Sequence, residues 1–408
     1  MRYSTVAFSI TACLSLSLTS VAAHALPPSS ADNQTSNTQK ALLIGVDGMQ
    51  YEKLQEAIAQ NMAPHIGSLK LAKSYIGGID GTPTEQLTNS GPGWTTILTG
   101  SWVDRHQVDA NNGALRNQAP SLFEQLKRAA PQRKTTSIVS WGTINDNFAE
   151  DIAQGYIDSA TKCLDVDQCV ADKAGYELEH GESDLVFAHF DEPDLAGHDH
   201  GFAPEYQQAI QGVDAQVGQL LSALKRRQAT HPTEDWLVIV SPDHGRRLPD
   251  GYSHGQQTLS EKTTFIAMNK LANAQLTDPV SAPTNPGHSG LYGFASQADI
   301  TPTILKHFGV EPDAAQHSMD GLPLIGALGV RQLTTQVLPA TSQVVLTWQG
   351  DKPRGEPVHI YRDGQHIASV PNHQGEYIDN DMKDINGNVN YTVEINKVPV
   401  SRLVTLQH

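Results

Sequence analysis

Trp236-Leu-Val-Ile-Val-Ser-Pro-Asp-His-Gly245 is the stretch from which the fold can be read. Its opening residues are apolar without a break, as in a strand buried on both faces of a parallel sheet. The run stops at Pro242, and Asp243 and His244 follow at once. In an open α/β sheet, ligands bind just beyond the carboxyl ends of the strands. An acid and an imidazole there are metal-ligand types at a metal-ligand position.

Two other segments repeat the design. Ala41-Leu-Leu-Ile-Gly-Val46 ends on Asp47, and Asp184-Leu-Val-Phe-Ala-His-Phe190 leads into Asp191-Glu-Pro-Asp194-Leu-Ala-Gly-His198. Each acid alone reads equally as a helix N-cap or a turn former. Three strands that bring carboxylates and imidazoles to one edge form a constellation.

The intervening sequence supplies helices. Tyr51 to Ala59 reads as one, and Met62 to Tyr75 continues helical up to the Gly77-Gly78 break. Ser121 to Ala129 is amphipathic through Leu122, Phe123 and Leu126. Thr135 to Trp141 is a strand, Glu205 to Gln228 a long helix, Glu261 to Asn269 a strand, and Asp299 to His307 a helix with Pro302 in its opening turn. Such alternation predicts an α/β fold of three layers, α/β/α, around a mostly parallel sheet. Character changes near Gln332: Val344–Trp348, Val358–Tyr361, Gln365–Val370 and Val389–Ile395 are short alternating strands with turn signals such as Asp363-Gly and Asn386-Gly. They predict a small C-terminal β-sandwich over 340–408, slightly short for seven strands, after a core over 41–332.

The chain has 408 residues, with 44 acidic against 28 basic and a net charge of −16. That balance argues against a nucleic-acid or anionic-membrane surface as partner. An anionic substrate stays open, because bound divalent cations invert the local field. Residues 1–25 read as a signal peptide, with a basic start, an apolar Val6–Val21 stretch and a cleavage pattern at Ala23-His24-Ala25. Residues 26–40 read as a polar linker. A periplasmic or secreted protein is expected, with no transmembrane segment once the leader is removed. Cys13 leaves with the leader, and Cys163 and Cys169 are expected to form one small-loop disulfide.

Ser90 precedes Gly-Pro-Gly and a helix-compatible run. A hydroxyl at that place serves either as an N-cap or as a nucleophile beside a helix end that favours anions.

Taken together, Asp47, the Ser90 segment, Pro193-Asp-Leu-Ala-Gly-His198, Asp243-His244-Gly and His254-Gly resemble the alkaline phosphatase superfamily, in its branch of type I phosphodiesterases and nucleotide pyrophosphatases. The resemblance runs from about Ala41 to Leu324 and takes in Asp299-Ile-Thr-Pro-Thr-Ile-Leu305 and Met319-Asp-Gly-Leu-Pro323. Trp348 and Ile360-Tyr-Arg-Asp-Gly364 resemble a fibronectin type III module. The superfamily resemblance implies an alkaline-phosphatase-like core with Asp194, His198 and His254 on one zinc. Asp47, Asp243 and His244 would sit on a second zinc that also holds the nucleophile, Ser90. Mixed Asp/His ligation suits zinc rather than magnesium or calcium. Asn111 falls where the diesterases bond a phosphoryl oxygen, with Asn112 as the alternative, and His288 is the alternative to His254. His189 and His307 read as structural, His200 as a solvent or loop residue. Arg246 and Arg247 are open between substrate contact and salt bridges. Trp94 stands where sulfatases carry Arg, so oxidised-residue sulfate ester chemistry is not implied. The expected activity is hydrolysis of a small-molecule phosphodiester or pyrophosphate through a phosphoserine intermediate. Phosphomonoester hydrolysis is the alternative; a sulfatase or a non-catalytic surface protein stands further off.

Overall fold

In the computed structural model, which describes residues 1–5, 38–281, 288–349, 355–383 and 385–406, eight strands form the central sheet. They are β1 (Thr38–Val46), β2 (Lys70–Tyr75), β3 (Thr135–Val139), β4 (Ser159–Lys162), β5 (Leu185–Phe190), β6 (Glu234–Ser241), β7 (Thr263–Met268) and β8 (Ala295–Ser296). The order across the sheet is β4-β3-β5-β1-β6-β7-β2-β8, and every neighbouring pair is parallel except those made by β7. β1 begins at Thr38, inside the stretch read as linker. The rest of that stretch, and the expected cleavage site near Ala25, lie outside the described residues.

Period-two alternation divides the core. Leu42, Ile44, Val46, Val186, Ala188, Val238 and Val240 pack on one face with helix Pro204–Thr230. Ala41, Leu43, Leu185, Phe187, Leu237 and Ile239 pack on the other with helices Ser90–Thr99, Leu122–Ala129 and Ile300–His307. The apolar runs are continuous because both faces are covered, and the result is the expected three-layer α/β/α core. Register places the site: Val46 lies opposite Phe190, and Gly45 opposite Ser241. The carboxyl ends of β5, β1 and β6 therefore lie side by side.

One segment corrects the sequence reading. Met62–Tyr75 is not a continuous helix; Pro64–Gly67 makes a single turn, and Lys70–Tyr75 is a strand antiparallel to β7. Ile66 and Leu69 hold helical spacing, but Leu71, Lys73 and Tyr75 alternate, and pairing with β7 decides between the two patterns. Cys163 and Cys169 form the expected disulfide, with Cα atoms 5.7 Å apart.

Among the described residues the C-terminal region has seven strands rather than the four read from alternation: β9 (Arg331–Leu338), β10 (Gln343–Gln349), β11 (Val358–Arg362), β12 (Gln365–Val370), β13 (Glu376–Asp379), β14 (Gly387–Ile395) and β15 (Val398–Leu406). They make two antiparallel sheets, β13-β10-β9 and β12-β11-β14-β15, around a shared apolar core. Asp363 and Gly364, both at positive φ, close the β11–β12 hairpin as the Asp-Gly pair predicts. The sandwich is tied to the core through the His317–Asp320 segment: Ser401 N–H donates to Met319 O at 2.9 Å, and Asn390 Nδ2 to His317 O at 2.9 Å. Among the described residues no helix is long and apolar enough to cross a membrane.

Candidate metal centre

Asp47 follows β1 directly and is fully buried; its backbone N–H extends the ladder by donating to Phe190 O at 2.9 Å. Gly48 then turns the chain in the left-handed region, at φ 58°, and donates its N–H to Asp243 Oδ1 at 3.2 Å. A Cβ at Gly48 would lie 2.3 Å from Asp194 Oδ1, so the close approach of Asp194 requires glycine there. Asp194 and His198 come from helix Glu192–His200, one turn apart on the same side. Asp243 and His244 follow β6, and His254 comes from the loop beyond them. Ser90 is the first residue of helix Ser90–Thr99, whose Pro92 falls in the opening turn, where its missing N–H costs nothing.

The structure links all six ligand candidates in one chain of contacts that meets Ser90 through Asp47 and His244, with His198 exposed at its outer end. Ser90 Oγ lies 3.3 Å from Asp47 Oδ1 and 3.4 Å from His244 Nε2. His244 Nε2 is 3.4 Å from Asp243 Oδ2, 3.4 Å from Asp47 Oδ1 and 3.9 Å from Asp194 Oδ1. His254 Nε2 is 3.8 Å from Asp194 Oδ1 and 3.0 Å from His198 Nε2, and His198 Nε2 is 3.1 Å from Asp194 Oδ2. Asp47, Asp243 and His244 form one group whose ligand atoms lie within 4.8 Å of one another; Asp194, His244 and His254 form another.

Three observations fit this site to cations. The Nδ1 of His254 bonds Thr88 O at 2.9 Å, and the Nδ1 of His244 bonds Gly245 O at 2.9 Å. A carbonyl accepts only, so each Nδ1 carries a proton, and the Nε2 of neutral His254 presents a lone pair to the cluster. Burial lowers His244 as well, but the charge of Asp243, the hydrogen bond to Asp47 and the charges of Asp194 and Asp47 outweigh it and raise that ring to about 10, so its Nε2 holds a proton that a cation would displace. Asp243 Oδ2 is buried without a hydrogen-bond partner among the described residues. Finally, the carboxylates oppose one another. Burial and the charge of Asp47 push Asp243 well above the usual carboxylate range. Burial pushes Asp47 up too, but hydrogen bonds from His189 and His244 outweigh it and hold that carboxyl well below its usual range. Burial and the charge of His244 pull His254 down to about 3. Carboxylates crowded so closely that one is driven to hold its proton call for positive charge.

The remaining candidates divide clearly. Asn111 Oδ1 accepts from Gly91 N–H at 2.8 Å, beside Ser90, whereas Asn112 Oδ1 closes its own loop on Ala114 N–H. His288 lies 3.4 Å from Asp80 Oδ2, away from the groups formed by His254, and His200 is exposed. Arg246 is buried, pairing with Asp194 Oδ1 and donating to Gly251 O and Tyr252 O; Arg247 pairs with Glu261 at 3.1 Å. The salt-bridge alternative therefore holds for both arginines. His307 bonds the backbone carbonyls of Lys40 and Asp235, a structural role.

Sequence reasoning missed three neighbours of the cluster. Trp94 and His189 both touch Asp47, although His189 had read as purely structural. Asp191 joins Asp47 and His189 in a third close group, and burial with the charges of Asp47 and Asp194 raises its carboxyl to about 9. The available signal was helical spacing, which puts Trp94 one turn beyond Ser90.

Residues 41–263 match the family model described as type I phosphodiesterase / nucleotide pyrophosphatase. Over 159 residues, 38% of the chain, the sequence is 28% identical to the 2,3-bisphosphoglycerate-independent phosphoglycerate mutase of Rhodopseudomonas palustris; the match spans 26% of that protein's length. Among solved structures, murine ectonucleotide pyrophosphatase / phosphodiesterase 5 is 20% identical, with 51% of this chain and 57% of that one covered and a TM-score of 0.39. A 2-O GAG sulfatase is 12% identical, with 85% and 86% covered and a TM-score of 0.52, a likeness of fold.

Proposed function

The chain belongs to the type I phosphodiesterase / nucleotide pyrophosphatase family, and on that premise we propose an exported hydrolase that opens phosphodiester or pyrophosphate bonds, with Ser90 as nucleophile and two divalent cations beside it. The observation that carries this reading is the close packing of Asp47, Asp243 and His244 and of Asp194, His244 and His254, with Asp47 and His244 against the Ser90 hydroxyl and His198 beside Asp194 and His254. Asp194, His198 and His254 would hold one cation. Asp47, Asp243 and His244 would hold the other next to Ser90 Oγ. The donor set suits zinc. When bound, such a pair supplies Lewis acidity and neutralises charge at the attacking and leaving oxygens.

The chain's own groups do the rest. Ser90 attacks phosphorus as the ester oxygen departs, giving a phosphoseryl enzyme that water hydrolyses back to serine. The positive end of the dipole of helix Ser90–Thr99 favours the anionic phosphoryl group. Asn111, tethered through Oδ1 to Gly91, keeps its amide N–H side for a phosphoryl oxygen. Arg246 and Arg247 are taken up by Asp194 and Glu261, which supports a diester over a monoester, whose extra charge needs a further cation.

Export is supported by the leader-like N-terminus and by the disulfide, which oxidising compartments sustain. The three-plus-four division of the C-terminal strands supports a fibronectin type III-like module. The test is turnover of bis-p-nitrophenyl phosphate, p-nitrophenyl phosphate, a nucleoside triphosphate and p-nitrophenyl sulfate, with and without chelator. Chelator-sensitive turnover of the diester, lowered about a thousandfold by Ser90→Ala, is expected. Turnover unaffected by Ser90→Ala, or no turnover of any phosphate ester by metal-loaded protein, would favour a surface binding protein instead.

A further inference from the structure

We infer that Trp94 and His189 are positioning residues that hold the Asp47 carboxylate by one oxygen, Oδ2, and so reserve Oδ1 for the cation beside Ser90. The inference rests on the two-cation reading of the preceding subsection. The indole Nε1 of Trp94 donates to Oδ2 at 2.8 Å, and Nε2 of His189 lies 3.0 Å from the same atom. Ser90 Oγ and His244 Nε2, by contrast, face Oδ1 at 3.3 and 3.4 Å. The two oxygens of one carboxylate are thus sorted between scaffold and site.

The chemistry of the donors makes the sorting strict. An indole N–H can only donate, and Trp94 is buried, so no water replaces Asp47. His189 Nδ1 is buried with no hydrogen-bond partner among the described residues. A proton there would be an unsatisfied buried donor, so the neutral ring carries its proton on Nε2 and aims it at Oδ2. The two rings meet edge-on, with centroids 4.9 Å apart and planes at 86°. Gly45, two residues before Asp47 and on the same face of β1, opens the slot for the indole. A Cβ there would lie 2.4 Å from Trp94 Cη2. Two N–H donors on one oxygen favour single-oxygen coordination by Asp47 and fix its direction, the work usually done by groups just outside a metal's own ligands.

The experiment titrates zinc into chelator-stripped full-length protein, in competition with a chromophoric chelator, for the wild type, Trp94→Phe, His189→Leu and His189→Gln. The wild type should bind in two steps. Trp94→Phe and His189→Leu should each weaken one step by about tenfold or more and leave the step assigned to Asp194, His198 and His254 unchanged. His189→Gln, whose amide offers an N–H at a similar reach, should regain most of the lost affinity. With cobalt(II) in place of zinc, Trp94→Phe should also alter the visible absorption spectrum. Wild-type affinity at both steps in Trp94→Phe and His189→Leu would overturn the inference. So would equal weakening of both steps, the mark of a generally loosened fold, or a His189→Gln variant as weak as His189→Leu. If Trp94→Phe does not fold, the two His189 variants decide. A wild type that takes up no metal would instead overturn the two-cation reading itself.

Discussion

His106 ties together the segment that presents Ser90, and it should make folding stability fall in mild acid by a calculable amount. The imidazole is fully buried. Its Nδ1 accepts from Val108 N–H at 3.1 Å, and its Nε2 lies 3.2 Å from Thr96 Oγ1 and 3.3 Å from Gln86 Oε1. An Nδ1 that accepts an amide proton has no room for one of its own, and burial pulls the ring down to about 3. The unfolded chain titrates near 6.5 (about). Above that pH neither state is charged. Between the two values the unfolded chain holds a proton that the folded chain refuses, so stability drops as pH falls, by about 1.4 kcal/mol per pH unit. From about pH 7 to about pH 5 this one residue removes about 2 kcal/mol, and any folded value below about 4 gives nearly the same figure. His106→Gln abolishes the titration, although it carries a fixed cost of about 1–3 kcal/mol for the partner lost to Val108 N–H. Denaturant unfolding of both proteins in chelator, across that pH range, separates the two effects. The gap between wild type and variant should shrink by about 2 kcal/mol towards the acid end. A gap that stays constant with pH would refute the argument, because the folded imidazole would then take up its proton like an unfolded one.

Two further outcomes follow from pairings around the site. Arg246→Met leaves the buried Asp194 without its ion pair, so metal-free protein should lose about 3 kcal/mol or more; zinc, by supplying charge to the same carboxylate, should raise the variant's Tm more than the wild type's, and equal shifts would contradict this. Replacing Cys163 and Cys169 by serine opens a loop of sequence separation 6 and should cost about 2 kcal/mol by loop entropy, seen as a wild type that falls to the variant's stability when reductant is added.

The parts of the fold legible in sequence are those with a single physical reading. β1, β5 and β6 are buried on both faces, which forces unbroken apolar runs, and those runs locate the acids just past their ends. Tyr51–Ala59 emerged with the bounds its periodicity predicts. β4 did not, because Ser159–Lys162 is an edge strand with mostly exposed side chains and no apolar run to mark it. Lys70–Tyr75 carried two patterns at once, and only β7, nearly two hundred residues later in the chain (roughly), selects the strand. The sandwich's β9, β13 and β15 were missed for another reason: β9 and β15 pair with the strands next to them in the chain, but β9 and β13 are mostly part-exposed and β15 opens with four buried residues in a row, so none of the three shows clean period-two alternation.

The site divides along a different line. Aspartate and histidine are chemically conspicuous at the end of a buried strand, where an apolar residue would be expected, so Asp47, Asp243 and His244 declare themselves. The groups that fix them do not. Trp94 looks like one more core aromatic, Gly45 like a small residue in an apolar run, and His189 like a strand residue facing a neighbour. Each has an ordinary explanation on its own, and only their meeting at one carboxylate oxygen gives them a common purpose. Two weak signals were nonetheless present. A glycine inside a buried strand marks close approach of another group, and a donor four residues after a candidate nucleophile shares its face of the helix. Taken jointly they predict that the indole reaches under Ser90 to the end of β1, where Asp47 stands.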